Sequence, residues 1–530
     1  MKADVRLQEV ERQRRQVASM DPATGEIWAT YEAASEQQVG EAIRRARHAQ
    51  PAWQEMELNQ RLAILRKMKQ ALYEQRQSIA ELITRESGKP MPESYVTEIM
   101  TALDLMGYYL KRAPKLLRPR QWRHDNIALK LKKAISVPQP WGVVGVITPW
   151  NYPLMLPVGA MFPALVAGNA VILKPAEYTT TTAMKLGELA REVGVPEEVF
   201  QVLPGDGITG AALIENGVDR VVFIGSERAG RSVAKAAAER FIPVTLEMGG
   251  SDPMLVLRDA PVENAAAAAI WGRFLNAGQT CVAVKRVFVE EPIYEAFVHD
   301  VVQGVKKLRL GPGNEPNTDV GPMIREVQVK QLEEQLQDAV AKGATVRAGG
   351  RRRPDIGPLF FEPTVLTDVT SDMLVMQEET FGPILPIVPV KSAEDAVEMA
   401  NATSYGLSAS IWTRDRRKAF ELAQRIQAGA VTINDNSFHP GACDVPYGGF
   451  KHSGLGKSHG DQGLLDMVRE QYIDIDPLPS QYKPWWFRYS PSMREQMSQF
   501  IAFIHGTNVI DRLRAIPASL ALLWHRNRLP

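Results

Sequence analysis

Residues 143–173 read VVGVITPWNYPLMLPVGAMFPALVAGNAVIL, and the two ends of this stretch decide the fold. The runs at 143–147 and 170–173 are short, apolar and uninterrupted, as buried strands are. Two more such runs follow at 199–203 and 221–224. The segments between them, such as TAMKLGELAREVG at 182–194, carry helical spacing. Short apolar strands alternating with helices predict an α/β fold with a parallel sheet and crossover helices. Sheets of this kind take ligands at the carboxyl ends of their strands, so a nucleotide is to be sought there.

Upstream, DPATGE at 21–26 is a turn signal. Ser35 opens a helix with Gln38 as its capping-box partner. Val39, Ala42, Ile43 and Ala46 give that helix an apolar face, and helical pattern continues to about residue 112. The stretch RPRQWRHDNIALKLKKAISVPQP at 118–140 mixes charge with alternating apolar residues. It predicts an exposed ribbon, which invites pairing or oligomer contact. Downstream, a second α/β block spans about 250–450 and holds both cysteines, Cys281 and Cys443. The last fifty residues begin with PLPSQYKPWWFRYSPS, followed by two short helical patterns. Exposed aromatics mark an interface. This tail either packs on its own domain or is exchanged onto a neighbouring subunit.

The 530 residues suit two or more domains. Hydrophobic content of 45% and charged content of 23% are ordinary for a globular chain, and a formal net charge of +1 gives no reason to expect nucleic acid. The N-terminus MKADVRLQEVERQRRQ lacks the apolar core of a signal peptide. No apolar run reaches the roughly 18–20 residues that span a bilayer, so no membrane partner is expected. Two cysteines make no disulfide framework, and a reducing cytoplasm is the simplest compartment.

Several residues could carry chemistry. Asn151, in VITPWNYP, follows a strand between two prolines; its amide suits an oxyanion hole or a simple Asx-turn. Lys174 and Glu177, in VILKPAE, could bond the hydroxyls of a ribose, and Glu177 would repel a 2′-phosphate; a solvated ion pair is the plain alternative. Gly225 and Ser226 join a strand to a helix whose N-terminus favours phosphate, though such a junction also serves as ordinary capping. Glu247, in VTLEMGGSDP, ends a strand before two glycines and could act as a general base or stand in a surface turn. Pro261 begins a helix at its natural first position, and that helix runs into NAGQT and Cys281. Small polar neighbours favour an approachable thiol at Cys281, whereas buried cysteines are usually inert packing. Cys443 has no nameable activating neighbour.

In this order the stretches DPATGE, TPWNYP, GNAVILKPAE, FIGSERAGR, LEMGGSDP, GQTCVAVKRV, EETFGPILP, TSYGLSASIW, GAVTIND and PYGGFKHSGLG resemble the NAD(P)-dependent aldehyde dehydrogenase superfamily, over about residues 20–475. The resemblance implies a Rossmann-type parallel-sheet cofactor domain (1–120 and 141–249), an α/β catalytic domain (250–450) and a bridging β-ribbon for oligomer formation (121–140 and 451–478). Residues 479–530 are then a C-terminal extension. It implies Cys281 as nucleophile, Asn151 with the Cys281 backbone N–H as oxyanion hole, and Glu247 as the base that activates water. It implies that Trp150, Lys174, Glu177, Gly225, Ser226, Glu379 and Phe381 contact the cofactor, NAD⁺ with NADP⁺ as alternative, and that no metal is needed. The partners it implies are a small aldehyde and further copies of the chain, as a homodimer or homotetramer.

The expected reaction is oxidation of aliphatic or aromatic aldehydes to acids through a thiohemiacetal and a thioester, released by water. Phe438–Asp444 and Tyr152–Gly159 are expected to line the substrate tunnel, with Gly159 widening it. One departure is SGLGKSHGDQG at 453–463, where many members read SGxGRELGEYG; Ser458 replaces a glutamate that relays protons in some members. Three rival readings exist. A CoA-acylating enzyme generally lacks the base at Glu247. A catalytically silent structural subunit would not need the full residue set. A cysteine hydrolase would need a histidine signature that the sequence lacks.

Overall fold

The computed structural model describes residues 15–126, 129–477, 486–487 and 489–523. The charged start at 1–14 and the aromatic run at 478–485 lie outside the described residues.

The four expected strands are present as Val143–Ile147, Ala170–Lys174, Phe200–Val202 and Arg220–Ile224. With Val244–Glu247 they form a parallel sheet, in the order 244–247, 220–224, 143–147, 170–174, 200–202. Every residue of Val143–Ile147 is buried, because both faces of a parallel sheet are covered by crossover segments. The chain fills one side of this central strand first and then the other, so the strand order reverses beside it. Crevices of α/β sheets open at such a point.

Gly454–Leu455 adds an antiparallel edge to this sheet beside Val244–Glu247. This corrects one expectation: residues 451–469, read as part of the bridging ribbon, belong with the main body. The pairing carries the 453–463 loop to the end of the strand that bears Glu247.

A second sheet has seven strands, in the order Thr345–Ala348, Thr364–Thr367, Ile384–Val390, Val284–Glu290, Asp252–Val256, Ser408–Trp412 and Ala430–Ile433. All its pairings are parallel except the first. The helix Val262–Phe274 packs against it, and Pro261 is its N-cap with extended backbone, one position earlier than expected. The Pro261 carbonyl already accepts from the Ala265 N–H, as an N-cap carbonyl does.

The amino-terminal helices are Glu36–Glu55, Leu58–Glu74, Arg76–Ser87 and Thr101–Leu116. The expected capping box is present: Ser35 Oγ accepts from Gln38 N–H and Gln38 Oε1 from Ser35 N–H. A π-helical turn, Ser94–Met100, leads into the last of these helices. Such turns are often found at functional sites.

The described residues of 119–137 and 470–523 form a separate unit. Its strands run in the order Val468–Ile475, Lys133–Pro140, Arg120–Trp122, and Asp474 pairs with Lys132 and with His124 at 3.5 Å. Three helices follow where two were expected: Pro491–His505, Val509–Arg514 and Ile516–Leu523. Gly506 ends the first, Asn508 caps the second, and Pro517 sits in the first turn of the third, where proline is tolerated.

Candidate active site

A cavity of about 960 Å³ lies within the main body. The first sheet contributes to it from the carboxyl ends of its strands. Trp150 and Asn151 follow Val143–Ile147, Gly225 and Ser226 follow Arg220–Ile224, and Glu247 ends its own strand. The second sheet contributes from the opposite polarity. Cys281 precedes Val284–Glu290, and Glu379 and Phe381 precede Ile384–Val390. Trp150 and Phe381, 231 positions apart in sequence, thus face one space.

Two expected residues do not join the cavity wall. Lys174 is buried and donates to the Gly205 carbonyl at 3.3 Å, and burial lowers its pKa. Glu177 stands three residues beyond it. Cys443 is buried, with Sγ 3.3 Å from the Gly441 carbonyl, and burial pushes its thiol up to about 11. Phe438, Tyr152, Met155 and Leu156 line the cavity as expected, but Gly159 does not. A Cβ at Gly159 would make only ordinary contact with Leu105 Cδ1 at 3.6 Å and His459 Nε2 at 3.8 Å.

The chain reaches Cys281 through three consecutive left-handed residues, Asn276 (φ 52°), Ala277 (φ 54°) and Gly278 (φ 74°). Two of them are not glycine, and such conformations cost about 1–3 kcal/mol each and persist only where neighbours enforce them. The neighbours are visible. Asn276 N–H donates to Glu93 and its side chain to the Asn151 carbonyl. Gln279 accepts from Ile324 N–H, and buried Arg273 donates to the Thr380 and Gly382 carbonyls. The turn presents Cys281 partly exposed. Burial of the sulfur pushes its thiol up to about 12; Lys285 opposes this, and the carboxylates of Asp252, Glu379 and Glu247 add to it.

Asn151 is held through its backbone. Its carbonyl accepts from Lys89 Nζ at 2.8 Å and from Asn276 Nδ2 at 3.1 Å. Lys89 is wholly buried, pairs with Glu98 at 2.6 Å, and lies 4.1 Å from the centroid of the Tyr152 ring. Glu98 in turn accepts from the N–H groups of Leu154 and Met155, and Tyr152 shares a hydrogen bond with Thr280 at 2.7 Å. This network, rooted in the π-helical turn, links the Asn151 loop to the Cys281 loop. The sequence offered no sign of it, since Lys89 and Glu98 look like ordinary surface charges.

Glu247 is buried, and burial pushes its carboxyl up to about 7, with the Ser458 hydroxyl and Lys457 pulling it down. His459, a further residue the sequence reading missed, lines the cavity beside Ser458, with Nδ1 3.4 Å from the serine oxygen. Its ring packs at a tilt against Tyr447, centroids 5.5 Å apart, and Tyr447 packs with Cys281. Glu379 pairs with Lys285 at 3.3 Å and accepts from Gly250 N–H. A Cβ at Gly249 would come within 2.0 Å of the Glu379 carboxylate, so a larger residue there would displace that carboxylate. Phe381 meets Trp150 edge to face at 5.4 Å.

These residues fit a dinucleotide. Gly225 and Ser226 open the twelve-residue helix Glu227–Ala238, with Ser226 as its N-cap, an arrangement that favours phosphate. Glu379 and Phe381 form a further part of the same wall. Among the described residues no group of histidine, cysteine and acidic side chains could hold a metal ion.

The model of the aldehyde dehydrogenase family matches residues 9–473. The chain is similar to the 4,4'-diapolycopene aldehyde oxidase of a Methylomonas species, 38% identical over 492 residues, 92% of this chain and 91% of that protein. A protein of Mycobacterium bovis named as an NADP(+) succinate-semialdehyde dehydrogenase is 38% identical over 452 residues, 85% of this chain and 86% of its own length. The crystal structure of an NAD-dependent aldehyde dehydrogenase from Sinorhizobium meliloti superimposes with a TM-score of 0.85 at 33% identity, covering 89% of this chain and 93% of that one.

Proposed function

Because the chain belongs to the aldehyde dehydrogenase family, we propose that it oxidises apolar aldehydes to carboxylic acids, with Cys281 as nucleophile, Asn151 as oxyanion donor and Glu247 as base. The observation that carries this reading is the single cavity shared by Cys281, Asn151, Glu247 and Glu379. Lys285 favours the ionised form of the Cys281 thiol, and a carboxylate poised near neutrality is suited to take a proton from water at working pH. The Cys281 sulfur adds to the aldehyde carbon, and the oxygen that becomes anionic is stabilised by the Asn151 amide, a donor worth about 3–4 kcal/mol. Bound NAD(P)⁺ supplies a hydride acceptor. Gly225, Ser226, Glu379, Phe381 and Trp150 would hold it, and Lys174 and Glu177 lie outside that set. Glu247 then takes a proton from water as the water attacks the thioester, and the acid leaves.

The substrate end of the cavity supports an apolar substrate. Val96, Met100, Trp271 and Phe438 line it and are exposed towards its mouth. The lining arginines are Arg228, Arg231 and Arg325; the first two lie on the helix after Ser226, and Arg325 stacks near Trp150 and Tyr178. Free Cys281 and Cys443 suit a cytoplasmic enzyme, and the strands of 119–137 and 470–477 suit a homodimer or homotetramer. The test is a panel of aliphatic, aromatic and ω-carboxy aldehydes with each nicotinamide cofactor. Acid release without added CoA and preference for apolar members support the reading. Dependence on CoA, or preference for ω-carboxy aldehydes, overturns it.

A further inference from the structure

The cavity lining includes none of the described residues after 470, yet the C-terminal segment has its own physical character. Residues 478–530 carry seven lysines and arginines against two acids, Glu495 and Asp511, in a chain whose net charge is +1. Basic charge is concentrated there, and the rest of the chain is net negative.

The helices of this unit have an interior of their own: Met493, Ala515 and Ser519 are buried. Other apolar side chains are left outside. Val509, Ile510 and Leu513 are 68%, 57% and 60% exposed, and Phe487, Tyr489, Ile501 and Leu520 are exposed as well. At about 100° per residue, Val509, Ile510 and Leu513 fall on one arc of the helix Val509–Arg514. Arg512 and Arg514 fall on either side of that arc, and Asp511 opposite it. Arg494, Arg512 and Arg514 are exposed and make no ion pair among the described residues. An apolar arc edged by arginines, with its acid turned away, matches a layer that is apolar within and anionic at its surface. A second copy of the same segment matches poorly, because two basic faces repel.

We infer that the unit carrying residues 486–523 docks on an anionic lipid surface. The apolar side chains of the 509–514 helix enter the acyl boundary while Arg512 and Arg514 pair with lipid phosphates. Among the described residues no helix is long and apolar enough to cross a membrane, so the contact is interfacial. The inference is independent of the proposed chemistry.

The test is co-sedimentation of the full chain with vesicles of phosphatidylcholine alone or mixed with phosphatidylglycerol. Binding is expected only with phosphatidylglycerol and to fall with added salt. Arg512→Gln with Arg514→Gln should weaken it by roughly fivefold per arginine. Ile510→Asp with Leu513→Asp should abolish it, while turnover of a water-soluble aldehyde and the oligomer size by light scattering stay unchanged. No binding of the unsubstituted chain, equal binding by the aspartate variant, or a change in oligomer size in that variant overturns the inference; the last would make this face a contact between copies of the chain.

Discussion

Replacing Glu247 with glutamine separates two consequences of one burial. The carboxyl ends a strand inside the protein, and loss of solvent raises its pKa from 4.5 to about 7. About a tenth of the molecules then hold the ionised base at pH 6 and about nine tenths at pH 8, so thioester hydrolysis should rise about tenfold over that interval. A carboxylate at its ordinary value would change the rate by only a few per cent. The same shift bears on stability. The folded state keeps a proton that the unfolded state releases above pH 4.5, so stability falls as pH rises from 4.5 to 7 and stays about 3 kcal/mol lower beyond. Glu247→Gln removes the charge, so the variant should resist heat better than the unsubstituted protein at pH 8, and the two should converge below pH 5. Rapid mixing with aldehyde and cofactor isolates the step. The variant should give one burst of reduced cofactor per active site followed by near-silence, whereas the unsubstituted enzyme turns over with the tenfold pH dependence. A flat profile between pH 6 and 8, or steady turnover by the variant, refutes the assignment of Glu247.

Cys281→Ala should eliminate formation of reduced cofactor while a thermal-shift titration still detects cofactor binding; retained turnover would exclude this sulfur as nucleophile. Asn151→Ala should lower kcat by about 10²–10³ with little change in cofactor affinity, read from steady-state kinetics. Lys89→Met strands the buried Glu98 carboxylate and should destabilise the protein by about 3–5 kcal/mol. Denaturation should report that loss, and Lys89→Met with Glu98→Gln should recover part of it. Glu177→Gln tests one of the two cofactor contacts expected from sequence that lie off the cavity: an unchanged ratio of NAD⁺ to NADP⁺ use is expected from its position, and a shift towards NADP⁺ would restore its sequence-based role.

Much of the protein was legible without coordinates. Buried strands of a parallel sheet are uninterrupted apolar runs, so 143–147 and 221–224 declared themselves by composition. The Ser35–Gln38 cap is a local contact between near neighbours and was readable for that reason. Cys281, Asn151 and Glu247, the proposed nucleophile, oxyanion donor and base, stood out because their short segments resemble a known family in order and type. What tertiary structure alone decided is everything that depends on burial by remote segments. Lys89 and Glu98 look like solvated charges, and only the packing of the π-helical turn under the 151 loop makes them a buried pair whose lysine donates to the Asn151 carbonyl. Lys174 follows a strand as a nucleotide contact should, yet the fold turns it to the Gly205 carbonyl. His459 is one polar residue in a glycine-rich loop until the edge strand Gly454–Leu455 carries it to the cavity. Sequence fixes which groups exist and how near neighbours along the chain are arranged. Desolvation, and with it the working pKa of Glu247, depends on atoms that arrive from hundreds of residues away.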